Sequence, residues 1–396
     1  MVSEKMYQLG SKRSTIRELF EYGKKRAQEV GKENVYDFSI GNPTVPSPAC
    51  VKESIMEILD TVDSSTIHGY TSAQGDLETR AAIATYLNNT YDLNVKADNF
   101  YMTCGAAASL CISIKALTET KEDEFVVIAP FFPEYRVFIE AQGATFKMVP
   151  ADTKAFQINF EALEEAINIH TKAIIINSPN NPSGTIYSEE TIKQLASLLD
   201  RKSDEYGHAI VLLSDEPYRE IAYDDVVVPY VTRYYKNTIV CYSYSKSLSL
   251  PGERIGYILV PDEVENSKAV YAAVCGAGRA LGYVCAPSLF QKVIAKCVGQ
   301  TGDIDLYKKN RDLLYENLTA MGYECVKPQG AFYLFMKAME EDSVAFCEKA
   351  KACDLLLVAA DDFGCPGYVR ISYCVEEDMI RRSFKAFEKL ASIYKA

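Results

Sequence analysis

Between about residues 98 and 260, short and nearly continuous apolar runs alternate with longer amphipathic stretches. The runs NFYMTC, EFVVIAP, KAIIINSP, HAIVLLSDE, NTIVCYSYS and RIGYILVP read as buried strands, and helical stretches such as SEETIKQLASLLDRKSDEY at 188–206 lie between several of them. This alternation predicts a parallel sheet covered by helices. The two ends of the chain read differently. Residues 12–29 are helix-like, and the last third mixes helical patterns over 303–320, 340–353 and 376–395 with the strand-like runs AFYLFMK and YVRISYCV. The expected architecture is therefore α/β. A large domain, 47–288, carries a mostly parallel sheet covered by helices, and a smaller α+β domain is assembled from both termini, 1–46 and 289–396. A ligand is expected in the cleft between them, at the carboxyl ends of the strands.

Length and composition agree with this picture and narrow the function. A chain of 396 residues is too long for one small core, and 48% hydrophobic with 24% charged residues is ordinary for a globular protein. The net charge of -12 argues against nucleic acid as a partner, because a phosphate-tracking surface needs a concentrated basic patch. Apolar runs such as LLLVAA at 355–360 fall far short of the roughly 20 residues of a membrane helix. MVSEKMYQLGSKRST lacks the apolar core of a signal peptide, so a cytoplasmic protein without membrane contact is expected. The twelve cysteines are scattered from Cys50 to Cys374 without a CxxC pair, and His68, His170 and His208 lie far apart. Small buried thiols in a reducing compartment are expected, and no metal site.

Four polar stretches fall at strand ends, where an α/β protein places its site. In MTCGAAASLCISIKAL, Gly105 turns the chain and Ala106 and Ala107 open a helix, whose free N–H groups suit an anion, although glycine followed by alanines also serves close helix packing. SPNNPSGT, 178–185, is a polar turn that either fixes the chain or presents Asn181 to a ligand. In LLSDEPYRE, Asp215 ends an apolar run and needs a cationic or hydrogen-bonding partner, and Tyr218 follows. The fourth, YSYSKSLSLPGERIGYILV, sets Lys246 among serines with Arg254 eight residues later. Ser243, Ser245 and Arg254 offer hydroxyls and a planar fork suited to phosphate. A lysine between phosphate donors, with a strand-end carboxylate earlier in the chain, meets the needs of pyridoxal phosphate: a Schiff-base amine, an anion cradle and an acid for the ring nitrogen.

Taken together, S-x-S-K with R-I-G-Y, N-N-P-x-G and D-E-x-Y resemble the class I aminotransferases of the aspartate aminotransferase fold type, in order and over nearly the whole chain. The resemblance implies a pyridoxal 5′-phosphate enzyme with Lys246 as its internal aldimine and proton shuttle, Asp215 on the pyridinium nitrogen, and Tyr218 and Asn181 on the phenolic oxygen. It implies that Gly105, Ala106, Ala107, Ser243, Ser245 and Arg254 hold the phosphate and that Phe132 stacks on the ring. Tyr70, in HGYTSAQGD, is similar to a tyrosine that reaches the phosphate from a neighbouring subunit, which implies a homodimer with shared sites. Arg370 resembles the arginine that grips the substrate α-carboxylate, with Gly41 closing the other side.

By the same resemblance, the reaction is a ping-pong transfer of an amino group from an L-amino acid to a 2-oxo acid, with aspartate or alanine as expected donors. Arg279, in GAGRALGYV, is a candidate for a side-chain carboxylate of the substrate, supplied by the partner subunit; a surface role is the alternative. Phe132 stands where the aspartate-specific enzymes usually carry tryptophan, a residue this chain lacks altogether. Two other readings remain at this point. One is a carbon–sulfur β-lyase on the same fold; the other is a cofactor-sensing domain without catalysis, for which no basic segment is left over.

Overall fold

The computed structural model describes residues 1–11 and 15–395. In chain order the strands of its first half are β1 (Tyr36–Asp37), β2 (Phe100–Thr103), β3 (Glu124–Ile128), β4 (Thr145–Val149) and β5 (Thr171–Asn177). They are followed by β6 (Val211–Asp215), β7 (Thr238–Ser243) and β8 (Gly256–Leu259), and near the carboxyl end by β9 (Cys325–Val326), β10 (Tyr333–Lys337), β11 (Leu355–Leu356), β12 (Val358–Ala359) and β13 (Tyr368–Ser372). A seven-stranded sheet in the order β2-β8-β7-β6-β5-β3-β4 occupies the centre. All six apolar runs of the central region are strands in it, as β2, β3, β5, β6, β7 and β8. The chain thus has the α/β architecture of a mostly parallel sheet with helices.

Two details differ from the pattern. β8 runs antiparallel to both of its neighbours, β7 and β2, so the sheet is mixed. β4 is an additional strand that apolarity does not mark, because it is the sheet edge, paired only with β3 and with Thr145 and Met148 exposed. Inside the sheet the side chains alternate between two cores. Ala173 and Ile175 of β5 join Val211 and Leu213 of β6 on one face, and Ile174, Ile176 and Leu212 pack on the other. Each such Ile or Leu contributes about 1.5–3 kcal/mol by leaving water. That double burial is why these runs read as continuously apolar.

A second sheet, β12-β13-β10-β9, is antiparallel throughout. β1 pairs in parallel with β11, and Phe38 packs on Phe387 with ring centroids 6.0 Å apart, so the amino-terminal segment is tied to the carboxyl-terminal third. The expected helix at 12–29 spans Thr15–Val30; residues 12–14 lie outside the described residues. The expected helices at 340–353 and 376–395 are shorter at both ends, Ser343–Lys351 and Glu377–Ser392. Helix Ser288–Cys297 starts at the expected boundary, 288/289, and runs past it, yet it packs in one core with residues of helices Ala49–Thr61 and Leu77–Tyr91. We propose to place that boundary after Cys297. Among the described residues, no helix is long and apolar enough to cross a membrane.

Candidate active site

The carboxyl ends of β2, β5, β6 and β7 lie along one edge of the central sheet, and the residue types of the four polar stretches meet there. β5 ends at Asn177, β6 at Asp215 and β7 at Ser243, which caps the short helix Tyr244–Ser247 that carries Lys246. The antiparallel course of β8 explains the spacing from Lys246 to Arg254. Ser243 pairs with Gly256, so the chain returns to the same edge at the start of β8 and delivers Arg254 beside the serines. A cavity of about 350 Å³ opens at this edge. Lys246, Asp215, Tyr218, Asn181 and Phe132 line it, together with Ser243, Ser245 and Arg254. Ala106 and Ala107 close one end, and Gly41 and Arg370 complete the wall.

One part of the wall is built to receive an anion. Gly105 has φ 89° and caps helix Ala106–Leu117 without a side-chain hydrogen bond, leaving first-turn N–H groups free. A Cβ at Gly105 would sit 3.1 Å from Arg254 Nη2 and 3.5 Å from Ser243 Oγ, so glycine keeps this corner open. The Ser243 and Ser245 hydroxyls are 2.7 Å apart, and Arg254 Nη1 donates to Ser245 Oγ at 3.5 Å. Arg254 itself holds a left-handed φ of 53°, a conformation that costs energy in a residue with a side chain.

In the same cavity, Asp215 is buried at the end of β6. Tyr135 donates to Asp215 Oδ2 at 2.5 Å, while Oδ1 is buried with no partner among the described residues. Burial pushes the Asp215 carboxyl up to about 7, and the Tyr135 hydrogen bond opposes the shift. Asn177 braces the same corner: Nδ2 donates to the Asp215 carbonyl at 2.9 Å, and Oδ1 accepts from the Asn181 N–H at 2.7 Å. An unpartnered carboxylate oxygen in such a place matches a cationic N–H.

Lys246 Nζ donates to the Gly41 carbonyl at 2.7 Å. Burial brings its ammonium down to about 8, and the Arg370 and Arg254 charges push the same way. Arg370 projects from β13 and is 2% exposed. Its Nη1 donates to Asn181 Oδ1 at 3.1 Å and its Nη2 to the Ser39 carbonyl at 2.5 Å, but Nε is buried without a partner among the described residues. The guanidinium lies over the Tyr333 ring, 4.7 Å from its centroid.

Two expected site residues stand apart from the cavity of their own chain. Tyr70 is 98% exposed, in the turn after helix Ser64–His68, and Arg279 is exposed near the end of helix Ser267–Leu281. Tyr135, Asn177 and Tyr333 belong to the site and lie outside the sequence motifs. Asn177 had a signal, as the polar end of an apolar strand, and Tyr135 follows Phe132 by three residues. Among the described residues, no three His, Cys, Asp or Glu side chains cluster as a metal ion would require.

The family model described as aminotransferase class I and II matches residues 33–387. The chain belongs to this family. The aminotransferase is similar to a probable aspartate aminotransferase of Methanocaldococcus jannaschii, 30% identical over 96% of this chain and 97% of the relative. It also resembles the aspartate aminotransferase of Thermotoga maritima, whose crystal structure superimposes with a TM-score of 0.85 at 27% identity and full coverage of both chains. A crystal structure of an amino transferase from Eubacterium rectale matches with a TM-score of 0.99, 67% identity and full coverage of both chains. Class I aminotransferases use pyridoxal 5′-phosphate, and this enzyme is a transferase of that kind.

Proposed function

We propose that the enzyme passes an amino group from an L-amino acid to a 2-oxo acid in this cavity, by a ping-pong course, with the cofactor held covalently by Lys246. The observation that carries the proposal is one 350 Å³ space shared by Lys246, the partnerless Asp215 Oδ1 and the buried Arg370. The donor set fits pyridoxal phosphate. Ser243, Ser245, Arg254 and the amide groups of Ala106 and Ala107 would take the phosphate, and the Gly105 corner supplies room for it. Asp215 Oδ1 would accept from the ring nitrogen, Tyr218 and Asn181 would bond the phenolic oxygen, and Phe132 would stack on the ring. When bound, the cofactor supplies an electron-accepting ring conjugated to the substrate nitrogen.

The remaining work falls to the side chains. Arg370 would take the α-carboxylate with its fork, using the Nε that has no partner, while the backbone at Gly41 bounds the other side. Lys246 Nζ would take the proton from the substrate Cα and hold it for return. An amine held near 8 serves that purpose better than one at the ordinary lysine value, because more of it is neutral near neutral pH. Covalent uptake of the aldehyde by cofactor-free protein is accordingly expected to speed up as pH rises through about 8 and to level off above. Stopped-flow absorption checks this; a midpoint near the ordinary lysine value would remove Lys246 as the capturing amine.

Aspartate and alanine are the leading donors. Among the described residues, the cations that line the cavity are Lys246, Arg254 and Arg370, and Arg279 lies outside it. For the side-chain carboxylate of a dicarboxylic substrate, Arg279 of a second copy is the candidate. We also propose a homodimer in which Tyr70 reaches the neighbouring site. Tyr70, Tyr283 and Val284 are exposed apolar residues, and Cys285 Sγ donates to the Thr71 carbonyl at 3.4 Å, which joins their two segments.

The deciding experiment adds single amino acids, without a 2-oxo acid, to purified holoenzyme and follows the absorption spectrum. Stoichiometric loss of the yellow band with release of one keto acid is the expected result, and the responding amino acid identifies the donor. A band that persists while pyruvate and ammonia accumulate would replace the reading by β-elimination. Arg279→Ala should weaken aspartate selectively; unchanged aspartate kinetics would dismiss the shared arginine.

A further inference from the structure

We infer that Tyr333 is a positioning residue that ties the carboxylate-binding arginine to the hydroxyl of Tyr218, an inference that rests on the roles proposed above for Tyr218 and Arg370. Three contacts converge on it. The Tyr333 and Tyr218 hydroxyls are 2.8 Å apart, both side chains buried. The Tyr333 ring carries the Arg370 guanidinium at 4.7 Å, with the Phe363 ring at 5.1 Å from the same group. The Tyr333 hydroxyl also approaches Gly41 so closely that a Cβ there would lie 2.0 Å from it, and the Gly41 carbonyl is the acceptor of Lys246 Nζ. Register produces the arrangement: Phe335 of β10 stands opposite Arg370 of β13, and Tyr333, two residues along, shares that face.

A hydroxyl pair has a direction. If Tyr218 donates its proton toward the cofactor's phenolic oxygen, its own oxygen is left to accept, and Tyr333 is the hydroxyl placed to donate. Such a chain strengthens the outer bond, because each donor is polarised by the one behind it. A stronger bond to the phenolic oxygen draws negative charge away from the neighbouring nitrogen bound to Lys246, which then holds its proton less tightly. Tyr333 would thus act on the cofactor only through Tyr218, and on the substrate only through the Arg370 stack.

The test is a pH titration of the holoenzyme's visible absorption band in wild type, Tyr333→Phe, Tyr218→Phe and the double variant, with amino-acid KM measured alongside. Tyr333→Phe should raise the midpoint by about 0.5–1 pH unit, the worth of one neutral hydrogen bond, and change KM less than twofold because the ring remains under Arg370. Tyr218→Phe should raise it further, and adding Tyr333→Phe to that background should move it no more. Tyr333→Leu, which removes the ring, should raise KM about 3- to 10-fold. An unmoved midpoint in Tyr333→Phe, or equal shifts with and without Tyr218, would overturn the inference while leaving the proposed function standing. A wild-type protein that develops no visible band with the cofactor would overturn the proposed function itself.

Discussion

Lys246→Ala should abolish amino transfer, with a loss on the order of 10³-fold or more, while the protein still binds the cofactor. A positioned acid–base group contributes roughly 10²- to 10⁴-fold, and here the same amine also carries the cofactor, so both contributions go together. No other lysine lines the cavity among its described residues. The anion corner does not depend on Lys246. Ser243 and Ser245 share the short segment of Lys246, but their hydroxyl contact, the Arg254 bond to Ser245 and the helix start at Ala106 make no use of the Lys246 side chain, so noncovalent affinity should persist. The fold should persist as well, since the one hydrogen bond lost is to the Gly41 carbonyl, a matter of about 1 kcal/mol. Single-turnover absorption with one amino acid gives the rate, and fluorescence titration gives the affinity. Turnover at the wild-type rate would refute the assignment of Lys246.

What the sequence made legible follows from which physical signals are local. The buried strands announced themselves, because residues such as Ile174 and Ile175 face two cores and both must be apolar. β4 stayed hidden because an edge strand tolerates Thr145 and Lys147 at exposed or half-exposed positions. The direction of β8 is invisible to apolarity, although the stretch from Ser243 to Gly256 contains a Pro251-Gly252 turn and only one short helix, too little for a parallel crossover. Lys246, Asp215, Asn181 and Arg254 were readable as motifs because each sits at or just beyond a strand end. Tyr135 and Tyr333 were not, since their meaning comes from hydroxyl contacts spanning 80 and 115 residues of chain. Tyr70 and Arg279 mark the other limit: a single chain leaves both outside its own cavity.

Asp215→Asn should slow amino transfer by about 10²- to 10³-fold, the usual cost of removing a preorganised charge from a dry site. The substitution keeps shape, removes the charge and, with Tyr135 donating to the retained oxygen, puts an N–H donor where Oδ1 offers an acceptor. Tyr135→Phe is the graded companion, expected to cost about tenfold, because it removes one hydrogen bond to that carboxylate. The pH dependence separates the two. Burial holds the Asp215 carboxyl up near 7 in the cofactor-free protein, so it becomes protonated, and a poorer partner for a cationic ring, as pH falls through that value. Tyr135 lowers that value by donating to the carboxylate, so its removal shifts the loss to higher pH. Pyridoxamine phosphate is the suitable probe, since it has no aldehyde for Lys246 to capture. Its affinity should fall below about pH 7 in wild type and begin falling at higher pH in Tyr135→Phe. In Asp215→Asn the affinity should be weak and should lack this step. A wild-type rate in Asp215→Asn, or coincident pH curves for all three proteins, would detach Asp215 from the ring nitrogen and leave its raised carboxyl as a feature of the core.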